Sequence, residues 1–446
     1  MNTPASAPAT AIPWQRGVAW LLFLGPFFFI SYGFANNMAA RWQVSEAHVY
    51  DWERHIPFIP WTIVPYWSID LLYGLSFLLC RSVQQVDRHA LRLLTAQLLS
   101  VACFLAFPLT FSFARPATDG LFGGLFDALA GFDQPYNQAP SLHISLLVII
   151  WVRFAGASRG PARLAVDLWA ALIAASVLTT YQHHFIDLPT GALVGLLCLW
   201  LWPDEGPAPL ASARLTTSPQ RRCLALLYGL ASLGCIALAL RLGGAGLWLG
   251  WPGLATALVA LNYAFIGPAG FQKHAGRHSL ASAALLLPYT LAARLNAWLW
   301  TRRHPQPDEI TDGVWLGRLP DAATLRAGGF HGLVDLTAEL PAPTGTWAHA
   351  GLPWLDLIAP TASQLDAAAR HIARLQPGGP VLVACALGYS RSASAVAAWL
   401  ILTRRAASVD EAAAILQRAR PRVVLGPAHR KALASLSPAV EISGGA

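Results

Sequence analysis

The chain reads as a polytopic α-helical membrane domain followed by a soluble α/β domain. Three observations predict this. Of 446 residues, 55% are hydrophobic and only 12% are charged, too little charge for a soluble globular protein of this size. Apolar stretches of bilayer-crossing length recur up to about residue 300. Beyond residue 305 the apolar runs shorten, charge rises, and short strand patterns alternate with amphipathic helical ones.

The expected organisation is a tail over 1–16, a six-helix membrane domain over 17–203, two or three further membrane helices over 223–300, a linker over 301–307 and the α/β domain over 308–446. The apolar stretches lie near 17–35, 58–80, 92–113, 142–158, 165–183, 185–202, 223–241 and 245–265. A ninth, near 279–300, is interrupted by Pro288 and Arg294. The first follows a single arginine and no small-residue cleavage site, so it reads as a retained helix rather than a signal peptide. Arg81, Arg88, Arg92, Arg153, Arg159, Arg163, Arg214, Arg221 and Arg222 fall in alternate loops. The positive-inside rule then puts the N-terminus in the cytoplasm. A ninth stretch that lies in or re-enters the membrane keeps the α/β domain cytoplasmic as well.

The net charge of +8 comes almost wholly from arginine, with Lys273 and Lys431 the only lysines. No basic stripe interleaved with aromatics appears, which argues against nucleic acid as a partner. The six cysteines show neither metal-ligand nor disulfide spacing.

In the α/β domain, strands are expected at Val314–Leu316, Gly332–Leu336 and near Trp354–Leu357. A helix should run from about Gln364 to Leu375, capped by Thr361 or Ser363, and Ser408 to Glu411 offers a capping box for a helix ending at Arg420. The segment VLVACALGYSRSASAVAAWL carries the chemistry. A β-branched strand delivers Cys385 into a tight loop, Gly388 lets the loop close, and a helix opens at Ser392. Backbone N–H groups in such a loop form an anion nest, and the helix N-terminus adds positive potential. Both favour a bound phosphate and a nucleophilic thiolate. Arg391 supplies a planar fork for two phosphate oxygens.

VWLGRLP, LVDLT and CxxGxSRS in that order resemble a dual-specificity protein phosphatase domain of the cysteine-dependent superfamily. The branch containing the mitochondrial phosphatidylglycerophosphate phosphatase is nearest in flavour. The resemblance implies a phosphocysteine mechanism. Cys385 is its nucleophile, and Gly388, Ser390 and Arg391 are its phosphate-binding residues. Ser392 stabilises the departing thiolate and Asp356 is the general acid, with Asp335 a fallback that reads more as structural. Ala384 stands where family members carry histidine.

Two polar clusters interrupt the apolar region: APSLHIS, with Ser141 and His143, and TTYQHHFIDLPTG, with His183 four residues before Asp187. One helical turn sets that carboxylate beside the imidazole, where it can orient it. Arg115-Pro116 closes the third span. With the arginine-based topology, all three features fall on the outer face. They resemble the type 2 phosphatidic acid phosphatase superfamily, especially its inositol phosphorylceramide synthase-like branch. The resemblance implies a phosphohistidine on His183, orientation by Asp187, leaving-group protonation by His143, phosphate contacts from Ser141 and Arg115, and no metal or other cofactor. Two further basic positions of that pattern are Pro108 and Val177 here. His184 reads as a neighbour, and Asp70 as either a helix–helix contact or a substrate contact.

The whole is expected to be a bacterial fusion of the two domains in the inner membrane, removing phosphate from phospholipid or phosphoinositide-like substrates. The alternatives are a membrane-anchored phosphatase acting on phosphoproteins, a lipid head-group phosphotransferase, and a non-enzymatic lipid-binding scaffold or transporter.

Overall fold

The computed structural model describes residues 13–436. They fall into two compact units, one running up to Ala211 and including Leu242–Leu247, the other formed by Ser212–Arg241 and the chain from Trp248.

The first unit is helical: α1 (Trp14–Arg41), α2 (Ile63–Ser76), α3 (Val83–Ala106), α4 (Gly120–Ala130), α5 (Leu142–Ala157), α6 (Gly160–Thr179) and α7 (Asp187–Leu201). Each of the six stretches expected up to residue 203 contains a helix, but α5 and α7, at 16 and 15 residues, are shorter than the membrane-crossing length expected of them. The short α4 was not anticipated. α3 begins nine residues before the apolar stretch near 92–113, because its polar first turns find partners at the C-terminal end of α7. Arg92 Nε donates to the Trp202 carbonyl at 2.7 Å, and Arg92 and Arg153 both pair with Asp204, at 3.1 and 2.9 Å. Cations at a helix C-terminus complement its free carbonyls. α5 and α7 pack backbone to backbone. A Cβ at Gly191 would stand 2.4 Å from the Ser141 carbonyl oxygen, and one at Gly195 2.7 Å from that of Ser145. This close approach through small residues is the usual way apolar helices associate in lipid. The arginine cluster therefore lies at one end of α5 and α7, and Ser141, His143 and Asp187 lie at the other.

The second unit holds all but the Leu242–Leu247 junction of two apolar stretches of membrane-spanning length. They are α8 (Pro219–Leu242) and the run Gly244–Phe271, whose regular core is α9 (Gly250–Leu261). A two-residue hairpin follows, β1 (Lys273–His274) and β2 (Arg277–His278), then α10 (Leu280–Leu285) and α11 (Leu287–Thr301). Pro288 in the first turn of α11 marks the break between these helices.

The remainder is a five-stranded sheet with helices. Its elements are β3 (Asp308–Thr311), β4 (Val314–Arg318), α12 (Ala322–Ala327), β5 (Gly332–Thr337), β6 (Ala348–Trp354), α13 (Ala362–Leu375), β7 (Val381–Cys385), α14 (Arg391–Leu402), α15 (Val409–Ala419) and α16 (Pro427–Ala434). The strand order is β3-β4-β7-β5-β6, parallel except for β3 on β4. β7 lies between β4 and β5 and is buried on both faces, which is why it reads as an unbroken apolar run. α14 is buried almost all round, as a helix rich in small apolar residues can be.

Thr361 and Gln364 form the expected capping box on α13. At α15, Ser408 Oγ accepts from Glu411 N as expected, but the Glu411 carboxylate takes its bond from the Ala407 N–H instead. β6 ends at Trp354, so the strand expected near Trp354–Leu357 lies earlier, and Leu355–Leu357 belong to the loop that carries Asp356. Pro353 is tolerated in β6 because β6 is an edge strand.

Candidate active sites

Cys385 ends β7, and its Sγ lies 3.2 Å from both the Gly388 N–H and the Ser392 hydroxyl. Gly388 has φ +74°, and a Cβ there would lie 2.3 Å from the Gly317 carbonyl carbon. Positive φ and close approach both demand glycine. The loop is held from outside by Arg420 Nε, which donates to the Gly388 carbonyl at 3.0 Å, and by Val424 N, which donates to the Tyr389 carbonyl at 2.9 Å. Ser390 Oγ bonds His429 Nε2 at 3.0 Å. Burial lowers the His429 imidazole below its ordinary range.

Arg391 opens α14 with its guanidinium almost wholly buried. It forms a bidentate pair with Glu339, at 2.6 and 3.0 Å, donates to the Trp354 carbonyl at 3.0 Å and pairs with Asp356 at 2.9 Å. Burial alone would weaken its hold on the proton. Glu339 and Asp356 outweigh burial and keep it above the usual arginine value. The fork is therefore pre-set in one plane, and the partly exposed Asp356 is the partner an arriving phosphate can displace.

Asp335, at the end of β5, is fully committed. It accepts from Lys273 Nζ at 2.5 Å, from Thr337 N at 2.9 Å and from Thr337 Oγ1 at 2.8 Å. Burial alone would raise this carboxyl, but His349, 3.6 Å away, and Lys273 hold it below the usual range. Further contacts join the apolar helices of the second unit to the same loops. Tyr263 Oη donates to the Asp356 carbonyl at 2.9 Å, and Gln220 Nε2 to the Leu357 carbonyl at 2.5 Å.

The second cluster lies at the histidine end of the helical bundle. His183 Nδ1 is 3.2 Å from Asp187 Oδ2, and the same oxygen accepts from His184 N at 3.1 Å. His184 has its own carboxylate, Glu53, 3.2 Å from its Nδ1, while its Nε2 accepts from Ser112 N at 3.2 Å. Burial lowers the His184 imidazole despite Glu53. His143 stacks on Tyr66 with centroids 4.2 Å apart, and its buried Nε2 has no hydrogen-bond partner. His143 and His183 line one cavity of about 320 Å³, together with Tyr32, Tyr66, Asp70 and Asp133. Asp133 accepts from Tyr32 Oη at 3.0 Å, and burial lifts its carboxyl. Among the described residues, no group of three or more His, Cys, Asp or Glu side chains is placed to hold a metal ion.

Residues 314–437 match the family "dual specificity phosphatase, catalytic domain", and residues 89–204 match the PAP2 superfamily. The chain joins a PAP2 superfamily domain to a dual specificity phosphatase domain. Both domains indicate phosphoric monoester hydrolase activity, and the apolar helices fit a membrane protein. Solved structures similar to part of the chain include Tk-PTP in its active form (30% identity, 30% of this chain and 97% of that one, TM-score 0.27). Human DUSP28 (24% identity, 28% and 92%, TM-score 0.27) and PTPMT1 in complex with PI(5)P (22% identity, 28% and 90%, TM-score 0.26) are also similar. Among curated proteins, none matches the chain.

In the phosphatase domain the structure gathers Cys385, Gly388, Ser390, Arg391, Ser392 and Asp356 around one loop. In the PAP2 domain it gathers His143, His183 and Asp187 but sets two expected phosphate ligands to other tasks. Ser141 is the N-cap of α5, its Oγ accepting from Ile144 N at 3.3 Å, and the Arg115 guanidinium lies over the Phe126 ring at 4.9 Å. Neither Ser141 nor Arg115 is among the residues lining the cavity. Glu339, His429 and Glu53 were not singled out from sequence. For Glu339 the available signal was an acidic residue two positions after LVDLT.

Proposed function

We propose that the protein is a bifunctional membrane phosphatase acting on phospholipid or phosphoinositide-like monoesters. In the dual specificity domain the Cys385 thiolate attacks phosphorus while Arg391 binds two non-bridging oxygens, having released Asp356. The P–O bond to the alcohol breaks, and Asp356 gives its proton to the leaving oxygen. Water, giving a proton to the Asp356 carboxylate, then attacks the phosphocysteine, the P–S bond breaks, and the Ser392 hydroxyl stabilises the returning thiolate. In the PAP2 domain Asp187 occupies His183 Nδ1, which leaves Nε2 to attack phosphorus. His143 protonates the departing alkoxide, and water hydrolyses the phosphohistidine.

The observation that carries the lipid assignment is the pair of bonds from Tyr263 and Gln220 to the Asp356 loop. A general-acid loop resting on membrane-length apolar helices works beside the bilayer, where lipid phosphates are concentrated. The proposed setting is a bacterial inner membrane, with the N-terminus and the phosphatase domain cytoplasmic and the histidine cluster on the outer face. The arginines gathered at the opposite end of α5 and α7 support that orientation.

A substrate panel on wild type, His183→Ala and Cys385→Ser tests this reading. Phosphatidate-type and phosphoinositide-type lipids and a phosphopeptide are assayed in parallel for phosphate release. Each substitution should remove turnover of a separate set of lipid phosphates. Activity on the phosphopeptide alone would sink the lipid assignment. Full activity in His183→Ala would reduce the PAP2 domain to an anchor, and release of a new phosphorylated lipid without free phosphate would indicate head-group transfer.

A further inference from the structure

The pair α10–α11 begins and ends on the phosphatase domain. At its start His278 Nε2 lies 2.9 Å from the Ala338 carbonyl, and at its end Arg318 Nη1 donates to Thr301 Oγ1 at 2.9 Å. Between them Thr290 Oγ1 reaches the Glu339 carbonyl at 3.5 Å. From Thr290 to Thr301 the helix rises about 16 Å, roughly half a hydrocarbon core. α11 is thus tied to one protein surface along its length. That buried side carries Thr290, Ala297 and Thr301.

Its other side is exposed and mostly apolar, with Arg294 and Asn296 its polar members. Leu291, Leu295, Trp298 and Trp300 are each more than half exposed, flanked by Leu287 and Leu299. Leu287, Leu291, Leu295 and Trp298 recur at helical spacing as one strip, Trp300 lies round the helix where it lines the groove described next, and both tryptophans fall at the C-terminal end, as at a membrane–water boundary. Where α11 stops, a shallow groove of about 570 Å³ opens against the catalytic loop, lined by Trp300, Arg302, Arg303, Tyr389, Arg422 and Val424. Arg422 Nη1 donates to the Trp300 carbonyl at 3.3 Å, but Arg302 and Arg303 are exposed and have no ion-pair partner among the described residues. Three guanidinium groups thus stand beside an apolar strip, next to the loop that carries Cys385.

We propose that this groove binds the head group of an anionic phospholipid, its acyl chains lying along the exposed face of α11. The occupant is the bilayer that α8 and the Gly244–Phe271 stretch of the same unit are long and apolar enough to cross. Arginines facing a neighbouring apolar strip match a phosphate above its chains, and neither water nor a cationic partner suits both. The bound lipid seats the catalytic loop against the head-group layer. The inference rests on neither catalytic assignment.

The full chain in nanodiscs of phosphatidylcholine with a minor share of phosphatidylglycerol provides the test. A photo-cross-linking residue is placed in turn at Leu295, at Trp300 and, as a solvent-facing control, at Arg370. Lipid adducts are expected at Leu295 and Trp300 but not at Arg370. At Trp300, the ratio of phosphatidylglycerol to phosphatidylcholine adducts should exceed the ratio of the two lipids in the disc about 25-fold, about fivefold for each of two unpaired arginines. Arg302→Gln with Arg303→Gln should remove the enrichment while leaving adducts at Leu295, which shows that the variant remains folded. Protein adducts or none at Leu295 would overturn the bilayer as occupant. Lipid adducts at Trp300 without an anionic preference, or with one that survives the double substitution, would overturn the head-group site.

Discussion

Glu339 offers a sharp test of how the phosphate-binding arginine is held. Both side chains of the Arg391–Glu339 pair are 3% exposed, and two short bonds join them in parallel. Glu339→Gln keeps one acceptor for one guanidinium nitrogen and turns a second donor toward the other. The loss is about one hydrogen bond to a charged group, about 1.5–3 kcal/mol. Asp356 and the Trp354 carbonyl still hold the arginine, so the full cost of orphaning a buried charge is not incurred. If that energy serves to orient the fork, kcat/KM should fall about 10- to 150-fold at 1.36 kcal/mol per decade. The assay is steady-state hydrolysis of a soluble aryl phosphomonoester in the His183→Ala background, with vanadate inhibition measured alongside. Vanadate engages the same arginine without turnover, so its inhibition constant should rise in step with KM. Thermal unfolding reports stability separately. Unchanged or tighter vanadate binding by folded Glu339→Gln would refute the argument, because Glu339 would then compete with phosphate rather than prepare Arg391 for it.

Three further outcomes follow from the same geometry. Lys273→Ala takes the lysine from buried Asp335 and leaves it Thr337 and His349, 3.6 Å away, so it should cost about 3 kcal/mol, the low end for a broken buried pair, in unfolding experiments, while Lys273→Met with Asp335→Asn should recover most of the loss. The pKa of His429 is lower in the folded chain than in the unfolded one. Its contribution is therefore present above about pH 6.5, the unfolded value, and is lost as pH falls toward the folded value. The melting temperatures of wild type and His429→Gln should converge or cross as pH drops below that point, and parallel curves would refute the assignment. Ala384 packs among Leu325, Phe330, Leu333 and Leu382 with no exposure. Installing the family's histidine there should destabilise by about 1–3 kcal/mol through overpacking and should not raise turnover, as differential scanning and initial rates will show.

Sequence made local relationships legible and hid distant ones. Cys385 to Ser392 is one contiguous loop, so residue order implied its geometry, whereas His183 lies in the segment before α7 begins at Asp187 and the expected contact forms across a turn rather than along one helix. The partners that hold those sites come from far along the chain. Glu339 is 52 residues from Arg391, Lys273 is 62 from Asp335, and Glu53 is 131 from His184. No periodicity or motif links such pairs, since only the fold brings them together. β6 was misplaced for a different reason. AHAGLPW mixes glycine and proline into an edge strand, and neither alternation nor β-branching marks it. The apolar helices beyond residue 219 gave a correct texture but no hint that they cluster with the phosphatase domain, because that grouping depends on single polar contacts such as Tyr263 to Asp356.

Spare hydrogen-bonding capacity, more than residue type, separates the groups to which the proposed mechanism gives chemistry from those that support them in both domains. His183 and His184 are adjacent, and each has one carboxylate on Nδ1. His184 also spends Nε2 on Ser112, so both its nitrogens are engaged and it braces the loop. His183 Nε2 has no bond to any described residue and faces a cavity shared with the equally unpaired His143 Nε2. Asp335 and Asp356 divide the same way. Asp335 is saturated by Lys273 and Thr337 and fully buried, whereas Asp356 is partly exposed and bonded to the arginine that the proposed mechanism gives to phosphate. A buried group with every partner satisfied lowers the energy of the resting state and gains nothing from substrate. The groups left short of a partner are the ones whose interactions can be completed only when a phosphate arrives, which is the differential binding that catalysis requires.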